Sequence, residues 1–212
     1  MKKGAFYITI LLVAWTATIL LYFWFIQSDY FDSFSIWARK NLILFYVSLL
    51  FAKVLAIVWP PLPGSFFTLG AIPFIGWVEA YVIDTAGSMM GASIAYFLGY
   101  KYGYQFLKKL FSADTVEKIK QIKIRRDREI ESVFIGRMAG AGNIMELICY
   151  GAGVLRVGFL NFLVASFLAN LVFMPAYYIG GSLLHGGNII IGLLFTAVTL
   201  LLFWKIKGRY IE

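Results

Sequence analysis

The sequence predicts an all-α, polytopic membrane protein with about five transmembrane helices plus two opposed re-entrant hairpins forming an inverted repeat. Three observations predict it. Of the 212 residues, 61% are hydrophobic and only 14% charged, and the mean hydropathy of +0.80 is outside the range of a soluble domain. The apolar runs are near twenty residues long and do not alternate, which suits helices and not the roughly ten-residue strands of a barrel. Two further stretches are apolar but too rich in glycine, proline or charge for a plain helix. Irregular backbone survives at membrane depth only where protein buries it or where it lines a wet cavity.

Taken in order, Met1-Lys2-Lys3 precedes an apolar run from about Ala5 to Ile26. It is too long for a signal peptide and carries bulky residues where small cleavage-site residues belong, so it reads as a first transmembrane helix. After a polar break, Arg39-Lys40-Asn41 introduces a second span over Leu42 to Trp59, with Lys53 in its C-terminal half. Residues 1–59 are thus two N-terminal helices. Pro60 to Gly76 holds four prolines and three glycines; proline removes an amide donor and clashes with the preceding turn. This is the first hairpin, shaped by Pro61, Pro63, Gly64 and Gly70. Trp77 to Tyr100 is continuous, with Gly87, Gly91 and Ala95 at four-residue spacing, a seam that lets helices approach closely. Glu79 and Asp84 lie in its first half, where an ionised carboxylate facing lipid is costly.

Residues 101–131 carry nine Lys or Arg against five acids, which places this loop in the cytoplasm, with Glu117 to Glu131 expected as a solvated surface helix. The second hairpin covers 132–156. Gly140, Gly142 and Gly151 break it, and Arg137, Asn143 and Glu146 put polar groups inside an apolar segment. A span over Phe159 to Ile179, containing Pro175, completes the core region 60–181. Residues 182–212 supply a last span, Ile189 to Trp204, and a short basic tail.

Sliding the chain on itself by 81 residues superimposes Gly70-Ala71 on Gly151-Ala152, Ala95-Tyr96 on Ala176-Tyr177, and Gly99 on Gly180. Each half reads broken hairpin, spanning helix, Tyr-x-x-Gly. One crossing separates the hairpins, so they enter from opposite faces. In transporters that architecture puts the substrate path between the facing broken segments.

The single Cys149 and single His185 exclude an internal disulfide and a soft-ligand metal centre, so no metal or cofactor is expected. The net charge of +8 fits membrane topology and anionic headgroups, and no nucleic-acid motif is present. No serine–histidine or paired-aspartate arrangement points to an enzyme.

Several motifs are shared with one family. They are Pro61-Leu62-Pro63-Gly64 followed by Gly70-Ala71, then Gly87-x-x-x-Gly91-x-x-x-x-Tyr96-x-x-Gly99-x-x-x-Gly103. Phe134-x-x-Arg137 and Ala152-Gly153-x-x-Arg156-x-x-Phe159 follow. Over roughly 60–181 the chain resembles the DedA/VTT superfamily (SNARE-associated, Golgi-trafficking-like) of integral membrane proteins. The resemblance implies two opposed hairpins, flippase or scramblase movement of phospholipid or polyprenyl phosphate, coupling to protons and a prokaryotic inner-membrane location. The chain departs from the pattern at Gly140, where the family has proline, at Asn143, where it has a second basic residue, and at Ser65 and Ala92, where many bacterial members have acids.

A lipid translocator needs a polar path through hydrocarbon. Arg137 is the leading phosphate contact, because its guanidinium offers a planar fork of donors; the alternative is a structural pair with Glu146 or Asp84. Those two carboxylates are the candidates for proton coupling. Asn143 and Glu79 are further polar candidates, and Arg156 stands at the hairpin's exit. Lys53 either serves the path or snorkels to the interface beside Trp59. The rival functions are proton- or ion-coupled transport of a small solute and a membrane adaptor or assembly role. The glycine seam packs either within one chain or between two copies of a homo-oligomer.

Overall fold

A computed structural model describes Trp24 and residues 27–59, 64–111, 116–117, 119–120, 124, 126–139, 145–185 and 187–207. Every regular element among them is helical: α1 (Asp29–Lys40), α2 (Leu42–Val58), α3 (Gly64–Gly70), α4 (Ile72–Ile75), α5 (Trp77–Leu110), a 3-10 turn (Arg126–Arg128), α6 (Glu129–Ala139), α7 (Met145–Val154), α8 (Phe159–His185) and α9 (Ile189–Lys207). By length and apolarity, Phe159–Leu184 is long enough to cross a bilayer, and α1 with α2 qualifies as a pair bent by 103° at its break. Fewer than the five expected spans therefore qualify among the described residues. The expected first helix over Ala5 to Ile26 lies outside them, Trp24 excepted.

The chain divides after Phe45. In the first unit, acids at Asp29 and Asp32 and bases at Arg39 and Lys40 complement the α1 dipole. Asn41 donates to the Trp37 carbonyl at 2.9 Å, and Phe34 stacks on Trp37 with centroids 5.6 Å apart.

The second unit is built on α5. The expected small-residue seam is used inside the chain: a Cβ at Gly87 would meet Lys53 Cγ at 2.7 Å, and one at Gly91 would meet Ile57 Cβ at 2.8 Å. Residues 53 and 57 thus match 87 and 91, so this part of α2 runs parallel to α5. Helix α3 runs the opposite way to α2, because Ser65 lies beside Lys53 and Thr68 beside Asp84. Farther on, Ile72 packs against Gly180. Helices α2 and α3 thus lie side by side along α5, α2 before and α3 within the stretch Pro60 to Gly76 where the sequence predicts the first hairpin.

The second hairpin pairs α6 with α7, placing Gly136 against Ile148 and Arg137 against Cys149. It crosses α5 backbone to backbone: a Cβ at Gly99 would fall on the Tyr150 carbonyl, and one at Gly153 on the Tyr96 carbonyl. Helix α8 runs antiparallel to α5, fixed at one end by Tyr96 on Phe162 (5.0 Å) and at the other by Tyr81 on Tyr177 (5.6 Å). Pro175 sits within α8 without ending it. At Gly103 (φ 62°, ψ −155°) α5 changes direction, in a conformation that only glycine adopts readily.

The basic segment is less solvated than expected. Val116 and Ile119 form one apolar face that joins the core around Tyr150, and Ile119 lies against Gly151. Only the opposite face, with the Lys120–Glu117 pair at 2.9 Å, behaves as a solvated helix. At its end Glu129 clamps the second hairpin. It accepts from Gly158 N–H at 2.8 Å, Asn161 Nδ2 at 2.9 Å and Arg126 at 2.7 Å.

Burial alone would raise the Glu129 pKa, but the bonds from Asn161, Gly158 and Arg126 outweigh it and hold the carboxyl below its usual value. A depressed folded value means that ionised Glu129 stabilises the fold above the unfolded pKa of roughly 4.3. The contribution is lost as pH falls through the folded value. Glu129→Gln is expected to lower the melting temperature at pH 7 and to flatten its decline between about pH 5 and pH 3. Parallel acid profiles for the two proteins would exclude the clamp.

Candidate functional site

The first hairpin encloses a charged and hydroxylic cluster. Lys53 and Asp84 are 5% and 7% exposed and pair at 2.5 Å. Lys53 Nζ also donates to Ser65 Oγ at 3.1 Å. Thr68 donates to the same Asp84 oxygen at 2.7 Å and lies 2.8 Å from the Tyr177 hydroxyl. A threonine hydroxyl has one proton, so while Asp84 receives it Tyr177 is the donor to Thr68. Four elements thus converge: α2 supplies the cation, α5 the anion, and α3 and α8 the hydroxyls. Lys53 does not reach the interface beside Trp59; its charge is spent on Asp84.

The second hairpin is built alike up to one difference. Arg137 on its leading limb donates to Cys149 Sγ on its returning limb at 2.8 Å, across 12 residues of sequence. Lys53 and Ser65 are also 12 apart. Arg137 is 2% exposed, yet it makes no ion pair among the described residues, and its Nε has no acceptor. Neither Asp84 nor any other described carboxylate locks it. Three more buried polar atoms in the α5–α8 region have no hydrogen-bond partner among the described residues: Thr85 Oγ1, Ser166 Oγ and Asn170 Nδ2.

The remaining candidates lie apart. Glu79 is exposed in the first turn of α5. Arg156 stands outside α7 with φ 58°; its guanidinium covers the Tyr100 ring at 3.9 Å, and its carbonyl accepts from Arg126 at 2.6 Å. Gly64 and Gly70 bound α3. Pro61, Pro63, Gly140, Gly142 and Asn143 fall outside the described residues, as does the side chain of Glu146. Residue type does not mark Thr68, Tyr177, Ser166 or Asn170 as site residues, and it marks Cys149 only as the lone cysteine. The one signal was positional, since the 81-residue offset superimposes Tyr96 on Tyr177 and Thr68 on Cys149. No group of three or more His, Cys, Asp or Glu suited to a metal occurs among the described residues.

A family model described as the VTT domain matches residues 62–183, more than half of the chain, covering α3 to α7 and most of α8. The chain belongs to the VTT domain family. This family is part of the DedA/VTT superfamily, so the protein is an integral membrane protein whose membership is consistent with a general lipid-handling role. A VTT-family chain is also similar to the uncharacterized protein MJ0201 of Methanocaldococcus jannaschii, 26% identical over 116 residues, 54% of this chain and 70% of that protein. No solved structure matches. The family's glycines coincide with the close approaches: Gly87 and Gly91 on α2, Gly99 and Gly153 at the α5–α7 crossing.

Proposed function

We propose that this VTT-family protein moves phospholipid-type molecules between leaflets, as a flippase or scramblase, through a polar path bounded by its two hairpins. In this reading both hairpins are re-entrant and enter from opposite faces of a prokaryotic cell membrane. Contact directions support it. The first hairpin, taken as α2 and α3, passes Gly91 at Ile57, and its returning limb ends at Gly76 where α5 begins. The second starts and ends by the Tyr96–Tyr100 turn of α5. They open in opposite directions along one helix.

The observation that carries the proposal is the buried Arg137 without a described counterion. A guanidinium in an apolar interior is costly unless an anion joins it, and a phosphate matches its fork of donors. Arg137→Ala is expected to slow transbilayer movement of labelled phospholipid in reconstituted vesicles by at least about tenfold, the loss of one charge-assisted contact. Its melting temperature in detergent should not fall, because a buried charge with no counterion among the described residues is removed. Wild-type protein no faster than empty liposomes, for several headgroups and with or without a pH gradient, rejects the proposal. The pH-gradient arm also tests proton coupling through Asp84 or Glu146. Solute uptake without lipid movement would turn the same architecture into a small-solute transporter.

A further inference from the structure

The unpartnered donors of the second half lie at one depth. Helices α6 and α8 both begin at the Glu129 clamp, with its bonds to Gly158 and Asn161, and they pack on each other. Arg137, eight residues into this run, is carried about 12 Å beyond the clamp. Asn170 is nine residues beyond Asn161, at about the same level. Ser166 and Asn170 follow Phe162 at four-residue spacing, on the buried face of α8 that meets α5 through Phe162 and Tyr177. On α5, Tyr81 reaches the Asn170 carbonyl at 3.5 Å, and Thr85 follows one turn later. In the antiparallel register set by Tyr96 on Phe162 and Tyr81 on Tyr177, Asn170 lies opposite about residue 88, and Thr85 stands opposite a point about one turn farther along α8, near residue 173.

Arg137 Nε and Asn170 Nδ2 can only donate, and the Thr85 and Ser166 hydroxyls can donate as well. All four atoms are buried without an acceptor among the described residues. The fifth such atom, Glu131 Oε2, lies six residues before Arg137, about 9 Å away along α6. Comparison with the first hairpin shows what is missing. There the cation is neutralised by Asp84 on the following helix; the helix that follows the second hairpin, α8, contains no Asp or Glu. The second half keeps the cation and replaces the anion by small and neutral donors.

We infer that Arg137, Asn170 and Ser166 form a mid-depth receptor for phosphoryl oxygens, in which the ligand supplies the negative charge that Asp84 supplies to Lys53. The inference deepens the proposed function and rests on it for the source of the phosphate. Asn170 and Ser166 are the new assignments: they hold the oxygens that Arg137 does not reach and so select a phosphorylated headgroup over an uncharged one.

The test uses the full-length protein purified in detergent and follows its melting against three probes: short-chain phosphatidic acid, diacylglycerol with the same chains, and inorganic phosphate. Phosphatidic acid should raise the wild-type melting temperature and diacylglycerol should not. Asn170→Ala should weaken phosphatidic acid binding about tenfold and Ser166→Ala about threefold, as expected for lost hydrogen bonds to a charged group. Should Asn170→Ala not fold, Ser166→Ala alone and Asn170→Asp, which sets a like charge against the phosphate, carry the measurement. An Asn170-dependent shift with inorganic phosphate but not with the lipid keeps the receptor and defeats the lipid reading. Equal shifts with diacylglycerol, or affinities unchanged in Asn170→Ala and Ser166→Ala, overturn the receptor even if vesicle assays show lipid movement.

Discussion

Gly153→Ala is expected to prevent the second hairpin from seating on α5, leaving little monodisperse protein after extraction. The added methyl would occupy the position of the Tyr96 carbonyl, with the Tyr100 amide nitrogen 2.8 Å away. These are backbone atoms of a continuous helix, so no rotamer change relieves the clash. The helices must separate, which also breaks the 2.5 Å bond from the Tyr96 hydroxyl to the Val157 carbonyl and loosens Tyr96 from Phe159 and Phe162. Ordinary overpacking costs about 1–3 kcal/mol, and this obstruction should exceed about 3 kcal/mol. Gly99→Ala, aimed at the Tyr150 carbonyl, should behave alike. Gly136→Ala is the control: its methyl would meet only the end of Ile148 at 3.4 Å and should be tolerated. A Gly153→Ala protein melting within a few degrees of wild type would show that the two backbones do not meet there.

Close approaches of this kind were legible in the sequence because they demand a residue type at a spacing. Gly87, Gly91, Gly99 and Gly153 stand in the motifs that suggested the family, and each proved to face another segment. Charge was less legible. Lys53 lies less than two turns from Trp59, so along the chain it reads as a snorkelling side chain, and nothing local reveals Asp84, 31 positions later, as its partner. Likewise the charges of residues 116–131 obscure the spacing of Val116 and Ile119, which bury one face of a segment expected to be solvated. The returning direction of α3 also escaped the sequence. Proline and glycine mark a break, but they do not say whether the helix before it is a separate span or a limb of the same hairpin. That Arg137 has no counterion among the described residues is a statement about neighbours in space and has no sequence signature.

Breaking the Lys53–Asp84 pair from either side is expected to destabilise the protein by about 3–5 kcal/mol, whereas removing both charges should restore most of that loss. Lys53→Met leaves a buried carboxylate with only hydroxyl neighbours, Thr68 and Tyr177, and no described cation. Asp84→Ala leaves a buried ammonium with Ser65. In Lys53→Met/Asp84→Ala no charge remains, and the hydroxyls stay satisfied, since Thr68 can turn its proton to the Ser65 carbonyl at 3.2 Å while still accepting from Tyr177. The double-mutant cycle, read as melting in detergent, should therefore give a coupling of at least about 2 kcal/mol. The same cycle bears on the opposite hairpin. If Lys53 needs its anion this strongly, then Arg137, equally buried and without a described carboxylate, must obtain compensation from something other than the described side chains, and a phosphate is the group its geometry fits. Additive single variants would remove that inference, because they would show that this interior tolerates an unpaired cation without help.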